Sequence, residues 1–323
     1  MASRPKNCDD ELQPLLDNMT PTRITNEDEL AAFRSKATQP QLIIDEYHTL
    51  YPLSKLKHSE LTVGTEGHSI ALSMFSLLED IPDDGRWCIF YIHGGGFIFG
   101  DRFSGLSALY PLIHQLKAIC ITVGYRLAPE HPAPAALNDC WAALREIWHR
   151  RETLHINDDK LIVVGRSAGA ALAAGVTRRA LECDDRDKPQ IRAQLMSFPM
   201  LDDRSNTESC EKYKNLAPWQ RDSNKFAWEK YLGDTTRSID IIPGRAPAEK
   251  LQGYPPTRID LAMKDILYDE GLEFGKRLEQ AGCQVTVREW DGYHCFDGGL
   301  GKDTKVGREL RWSQLEWLKE IAM

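Results

Sequence analysis

Six short apolar runs punctuate the chain: residues 86–92 (RWCIFYI), 118–123 (AICITV), 161–164 (LIVV), 193–199 (AQLMSFP), 258–263 (RIDLAM) and 284–290 (QVTVREW). Each has the length of a strand. Most are apolar throughout rather than alternating, the pattern of strands covered on both faces. Between most of them run longer segments of helical periodicity, such as Ala135 to Trp148 and Ala168 to Leu181. Near the end, Arg308 to Ile321 sets Leu310, Leu315, Leu318 and Ile321 on one face. Alternating strand and helix signals predict an α/β fold, a mostly parallel central sheet with helices on both faces.

Two stretches break the alternation. Residues 1–55 offer a helix started by Thr25, followed by Glu27, Asp28 and Glu29, whose carboxylates suit the positive end of a helix dipole. Residues 203–250 form an insertion rich in aromatic and charged residues, among them Tyr213, Trp219, Phe226, Trp228 and Tyr231. An insertion of that length beside a parallel sheet predicts a helical lid over the strand ends. The expected organisation is an N-terminal cap segment (1–55), a core in two parts (56–202 and 251–323) and a cap insertion (203–250). No internal repeat or low-complexity tract interrupts it.

Composition narrows the partners. The 323 residues are 42% hydrophobic and 27% charged, enough to bury a sizeable core. A net charge of −8 without any Lys/Arg stripe argues against nucleic acid or an anionic membrane surface as partner. No stretch approaches the roughly 18 apolar residues needed to span a bilayer. The first twenty residues are polar and acidic, without an apolar signal-peptide core. Cys8, Cys88, Cys120, Cys140, Cys183, Cys210, Cys283 and Cys295 include no C-x-x-C pair. The expectation is a reduced, cytoplasmic protein, monomer or homodimer, with a small-molecule substrate and no metal or organic cofactor.

Candidate chemistry begins at LIVVGRSAGA, residues 161–170. A strand runs into Gly165-Arg166-Ser167-Ala168-Gly169 and then into a helix of small residues. A lone G-x-S-x-G arises by chance in roughly one chain in ten of this length. Its position raises the signal: two glycines permit a tight strand-to-helix turn that projects Ser167, and the amides of the following helix point toward it. Upstream, His93-Gly94-Gly95-Gly96-Phe97 follows the strand RWCIFYI. Three consecutive glycines can turn unblocked backbone N–H groups toward one point, as an oxyanion needs. Neither G-x-x-x-x-G-K-[ST] nor G-x-G-x-x-G is present, so a phosphate cradle is not indicated.

With these motifs in place, the sequence resembles the hormone-sensitive-lipase-like esterases of the α/β-hydrolase fold, from about Asp84 to Gly299. The resemblance rests on HGGGF (93–97), GYRLAPEHPAPAALND (124–139), GRSAGA (165–170) and PMLDDR (199–204). It extends through W-x4-N-x3-W-x2-YL from Trp219 to Leu232, KDILYDEG (264–271) and DGYHCF (291–296). It implies a triad in the chain order Ser167, Asp265, His294. Asp265 follows RIDLAM after a single residue, Lys264, whereas Asp260 lies inside that run and Asp269 and Glu270 open the next helix. The resemblance further implies an oxyanion hole from Gly94, Gly95, Gly96 and Ala168, and a loop-shaping role for His93. Tyr125, Arg126, Pro129, Glu130 and Asp139 read as a structural turn and helix start. Phe97, Phe99, Trp219 and Phe226 are expected to line the substrate pocket.

The chain departs from the family in three places. Arg166 stands where an acidic residue is usual, either to bind an anionic substrate or pair with an acid of the lid, or as a charge-swapped structural contact, and Ala170 replaces a glycine. The loop before His294 is one residue short, with Cys295 following. The implied activity is that of a serine carboxylesterase acting on small or medium lipophilic esters, an ester of a specialised metabolite being one candidate. Lactone, amide or carbon–carbon chemistry (an aldol-type cyclisation, for example) on the same triad is the alternative. A ligand receptor is a remote third reading, disfavoured by an intact triad.

Overall fold

In a computed structural model, which describes residues 9–34, 39–78, 81–235 and 237–322, the apolar runs pair into one eight-stranded sheet. Cys8 lies outside the described residues. The helices α1 (Leu12–Asp17), α2 (Glu27–Arg34) and α3 (Pro40–Leu50) precede the strands β1 (Leu56–Thr65), β2 (His68–Leu77) and β3 (Arg86–Ile92). Then follow α4 (Tyr110–Gln115), β4 (Ile119–Gly124), α5 (Ala135–His149), β5 (Ile156–Arg166), α6 (Ala168–Glu182) and β6 (Ala193–Ser197). The helices α7 (Glu208–Lys212) and α8 (Arg221–Leu232) occupy the insertion. They lead to β7 (Thr257–Lys264), α9 (Tyr268–Gln280), β8 (Val285–Tyr293) and α10 (Lys305–Ala322).

The strand order is β1-β2-β4-β3-β5-β6-β7-β8, antiparallel at β1/β2 and β2/β4 and parallel across the rest. Strands β1 and β2 have no counterpart among the apolar runs. Polar residues interrupt both, Lys57 to Glu60 in β1 and Ser69, Ser73 and Ser76 in β2, so neither forms a continuous apolar run.

Successive side chains of a strand face opposite ways, and the sheet separates two cores accordingly. Phe90, Ile92, Val163 and Met196 pack with α5, α6, α9 and α8. Ile89, Tyr91, Val164 and Leu195 pack on the other face with α3, α4 and α10. A third cluster joins Leu12 and Leu16 of α1 to Tyr293, Phe296 and Leu310, around the loop that follows β8.

Among the described residues of the first 55, three helices lie in different places. Leu12 and Leu16 of α1 share a cluster with Ala217 of the insertion, and residues 22–34 are hydrogen-bonded to it. Thr22 N–H donates to Pro218 at 2.8 Å, and Ile24 N–H to the Ser223 hydroxyl at 3.0 Å. The carboxylate of Glu29 accepts from the Thr25 N–H at 2.7 Å, and Asn26 caps the Glu29 N–H, so α2 starts within two residues of Thr25.

The chain runs from β3 outward to β4 and then returns to β5 on the other side of β3. The carboxyl ends of β3 and β5 therefore diverge and leave a crevice between them, the place where open α/β sheets bind ligands.

Candidate active site

Four loops at the carboxyl ends of parallel strands meet at that crevice. They follow β3 (His93–Phe97), β5 (Ser167), β7 (Asp265) and β8 (His294). Ser167 sits at φ 53°, ψ −122°, a conformation that costs a residue with a β-carbon roughly 1–3 kcal/mol. Its N–H donates to Ser197 at 2.9 Å, and its carbonyl accepts from Ala170 and Met200, which fixes the turn. The flanking glycines have no room to be anything else. A Cβ on Gly165 would lie 2.5 Å from Ala170 Cα, and one on Gly169 would lie 2.2 Å from the Ile92 carbonyl oxygen.

The three polar side chains separated in sequence come together here. His294 Nε2 lies 3.0 Å from Ser167 Oγ, and His294 Nδ1 lies 2.6 Å from Asp265 Oδ2. The other Asp265 oxygen accepts the Leu267 N–H at 3.1 Å, which fixes the carboxylate plane. All three residues are buried. Burial pulls the His294 pKa down. The charge of Asp265, the neighbouring Cys295 and the hydrogen bonds to both outweigh it and hold the imidazole above its ordinary 6.5.

The other acids considered near Asp265 are committed elsewhere. Asp260 is fully buried, paired with Arg258 at 2.8 Å and accepting from Trp290 and Gln314. Asp269 and Glu270 lie in the first turn of α9, as expected, and also serve other segments. Asp269 accepts from Ser209 N–H in α7 at 2.6 Å, and Glu270 accepts from Leu201 N–H at 2.6 Å. Burial pushes the Glu270 pKa well up.

The glycine loop is set by its carbonyls. Burial pulls the pKa of His93 down to about 4, so its imidazole is neutral and its Nδ1–H donates to Gly94 O at 2.7 Å. Tyr125 stacks on this ring at 4.2 Å and donates to His93 O at 2.9 Å. A trans peptide is planar, so anchoring the Gly94 carbonyl turns the Gly95 N–H to the opposite side. The Gly95 carbonyl accepts from Ile98 and Phe99, both at 3.0 Å, and so orients the Gly96 N–H in the same manner. Gly95 and Gly96 take φ of 109° and 57°, which side chains with a β-carbon rarely adopt. At the start of α6, Ala168 N–H belongs to the first helical turn, where no intrahelical acceptor exists.

These groups line a cavity of about 220 Å³, shared by Gly94, Gly95, Gly96, Ser167 and His294. Of the aromatic residues expected there, Phe99 and Trp219 line it. Trp219 is held by its Nε1–H donating to Asn224 at 2.9 Å. Phe97 and Phe226 do not line it, and that expectation is corrected. Phe97 is fully buried and stacks on Tyr231 at 3.9 Å, because its φ of 64° turns the side chain into the core. Phe226 lies on α8 beneath the Lys230 ammonium, 5.2 Å from its ring. Thr22, Phe33, Ser104, Pro218 and Cys295 also line the cavity and were not anticipated. Phe33 packs edge-on to Phe99 at 4.6 Å; it comes from an N-terminal helix whose approach no local pattern announces.

Arg166 borders the same cavity, with its guanidinium paired to Asp297 at 2.5 Å, an acid beyond His294 rather than one in the insertion. Asp139 holds Arg126 at 2.8 Å, and Glu130 pairs with Arg34 at 2.6 Å, in keeping with structural roles for both acids. Among the described residues, no group of three or more His, Cys, Asp or Glu is placed to hold a metal ion. No helix there is long and apolar enough to cross a membrane.

Comparison with known proteins agrees with this fold. A family model for the alpha/beta hydrolase fold matches residues 89–297. Esterase LipI of Mycobacterium tuberculosis is 34% identical over 62% of this chain and 62% of its own, so the chain spans under two thirds of that relative's length. Carboxylesterase NlhH of the same species is 30% identical over 80% of this chain and 77% of its own. The crystal structure of esterase LipW from Mycobacterium marinum superposes with a TM-score of 0.83 at 27% identity, covering 97% of this chain and 96% of that one. With the family model matching more than half of its length, the chain belongs to the hormone-sensitive-lipase-like family of alpha/beta hydrolases.

Proposed function

We propose that the protein is a serine carboxylesterase that hydrolyses small or medium lipophilic carboxylic esters through an acyl-enzyme. The observation that carries this reading is the unbroken contact from Ser167 Oγ through His294 to Asp265, at 3.0 and 2.6 Å. A serine hydroxyl is a weak nucleophile at neutral pH. His294 takes its proton as Ser167 attacks the ester carbonyl, then delivers that proton to the departing alkoxide. Water repeats the sequence on the acyl-enzyme and releases the acid. Asp265 fixes the imidazole tautomer and stabilises the imidazolium.

The N–H groups of Gly95, Gly96 and Ala168, with Gly94 as the hinge of the loop, stabilise the oxyanion of each tetrahedral intermediate. Removing one such donor typically costs about 3–4 kcal/mol. A cavity near 220 Å³ walled by Phe33, Phe99 and Trp219 supports a small apolar substrate. The esterase names carried by LipI, NlhH and LipW support the reaction class. The free cysteines among the described residues are consistent with a cytoplasmic, reducing setting.

Labelling with a fluorophosphonate and a series of p-nitrophenyl esters of graded chain length test the reading together. Labelling at Ser167 with preferential turnover of short-chain esters is expected. Labelling without turnover of any ester would instead favour lactone, amide or carbon–carbon chemistry on the same residues.

A further inference from the structure

The nucleophile and the base are carried by different loops, and one ion pair ties the two loops together. Arg166 directly precedes Ser167. Its guanidinium donates two parallel hydrogen bonds to Asp297, from Nη1 to Oδ2 at 2.9 Å and from Nη2 to Oδ1 at 2.5 Å. The same Nη2 donates to the carbonyl of Cys295, the residue after His294, at 2.9 Å. Cys295 itself sits at φ 59°, a conformation uncommon for a residue with a β-carbon, and so needs holding. On the other side of His294, Tyr293 is fixed by the register of β8 against Lys264 of β7.

The pair has little slack. Its side chains are 9% and 1% exposed, and the guanidinium lies 5.4 Å from the Phe198 ring centroid. A Cβ on Gly298 would come within 3.2 Å of Nη2. Arg311 of α10 donates to the Asp297 backbone carbonyl at 2.6 Å, backing the acid from behind. Bidentate guanidinium–carboxylate geometry restricts both planes as well as the distance, which lysine cannot do.

We propose that Arg166 and Asp297 form a positioning clamp that sets the separation of Ser167 Oγ from His294 Nε2. The pair acts on the reaction through the histidine loop and not by touching the substrate. Because the guanidinium is matched by a buried carboxylate, its position at the cavity wall adds no net cation for an anionic ester to find. The inference rests on the serine esterase reading, since it assigns the pair a part in that reaction.

The test compares wild type with Arg166→Lys and with the double variant Arg166→Met/Asp297→Asn on p-nitrophenyl acetate and on an ester bearing a carboxylate. Fluorophosphonate labelling rates and thermal melts are measured alongside. Arg166→Met alone would strand a buried carboxylate and is expected to unfold readily, whereas the double variant removes both charges. The double variant should stay folded and lose about 10–100-fold in kcat on both esters, with KM within about threefold, as misplaced reacting groups lose rate. Phosphonylation of Ser167 should slow by a similar factor, since it needs the same histidine contact. Arg166→Lys should fall between the two.

If the double variant does not fold, Arg166→Lys decides: a kcat about tenfold low supports the clamp, and an unchanged kcat overturns it. A wild-type kcat in a folded double variant also overturns it, as does a loss confined to KM for the anionic ester. Failure of the wild type itself to label or turn over would refute the esterase reading instead.

Discussion

Ser167, Asp265 and His294 stand at wide intervals in the chain, yet two hydrogen bonds join them. Because Asp265 holds the imidazole above 6.5, the pH dependence has a definite sign. The base must be neutral, so kcat/KM for a neutral ester should rise with pH through an apparent pKa above 6.5 and fall away on the acid side. A stopped assay across pH 5 to 10 checks this; a flat profile would remove histidine from the reaction. His294→Gln should remove most of the activity without loss of fold, read by circular dichroism and turnover together. That these three residues belong together was legible because each follows a strand-like run, in an order the family shares. The partner of Arg166 was not, since nothing local connects positions 166 and 297.

At the scale of elements, the turn from β5 into α6 is the most constrained piece of backbone around the site. Gly169→Ala would set a methyl 2.2 Å from the Ile92 carbonyl oxygen, a backbone atom that cannot swing aside. We expect a loss of about 1–3 kcal/mol or more, measured by urea unfolding, together with impaired labelling of Ser167. Urea stability equal to wild type would mean that the loop after β3 can retreat from the elbow. The central strands β3, β4 and β6 and the carboxyl half of β5 were readable from the sequence because burial on both faces makes them largely apolar. The β1–β2 hairpin was not: polar residues interrupt both strands, and its turn at Glu66-Gly67 lacks the Asn-Gly or Asp-Gly signal. Phe97 was misassigned for a related reason. Its neighbours Gly96 and Phe99 do line the cavity, but a positive φ sends its own ring into the core.

At the scale of the whole molecule, the cavity is completed by chain segments nearly two hundred residues apart. Residues 22–34 are stitched to the insertion through Thr22, Ile24 and Ser223, and they place Phe33 against Phe99. Phe33→Ala should therefore open the cavity and shift preference toward longer acyl chains. The ratio of kcat/KM for p-nitrophenyl hexanoate over acetate should rise about tenfold, the scale of a methylene or two in an apolar pocket. An unchanged ratio would remove the N-terminal segment from substrate selection. The central claim, however, is that Ser167 is the nucleophile of an ester hydrolase. Its most direct test is fluorophosphonate labelling with the modified peptide identified by mass spectrometry, alongside turnover of p-nitrophenyl acetate by wild type and Ser167→Ala. The account predicts one label on Ser167, and a folded Ser167→Ala protein that takes no label and loses several orders of magnitude in kcat. A label on another residue, or near wild-type turnover by Ser167→Ala, would contradict it.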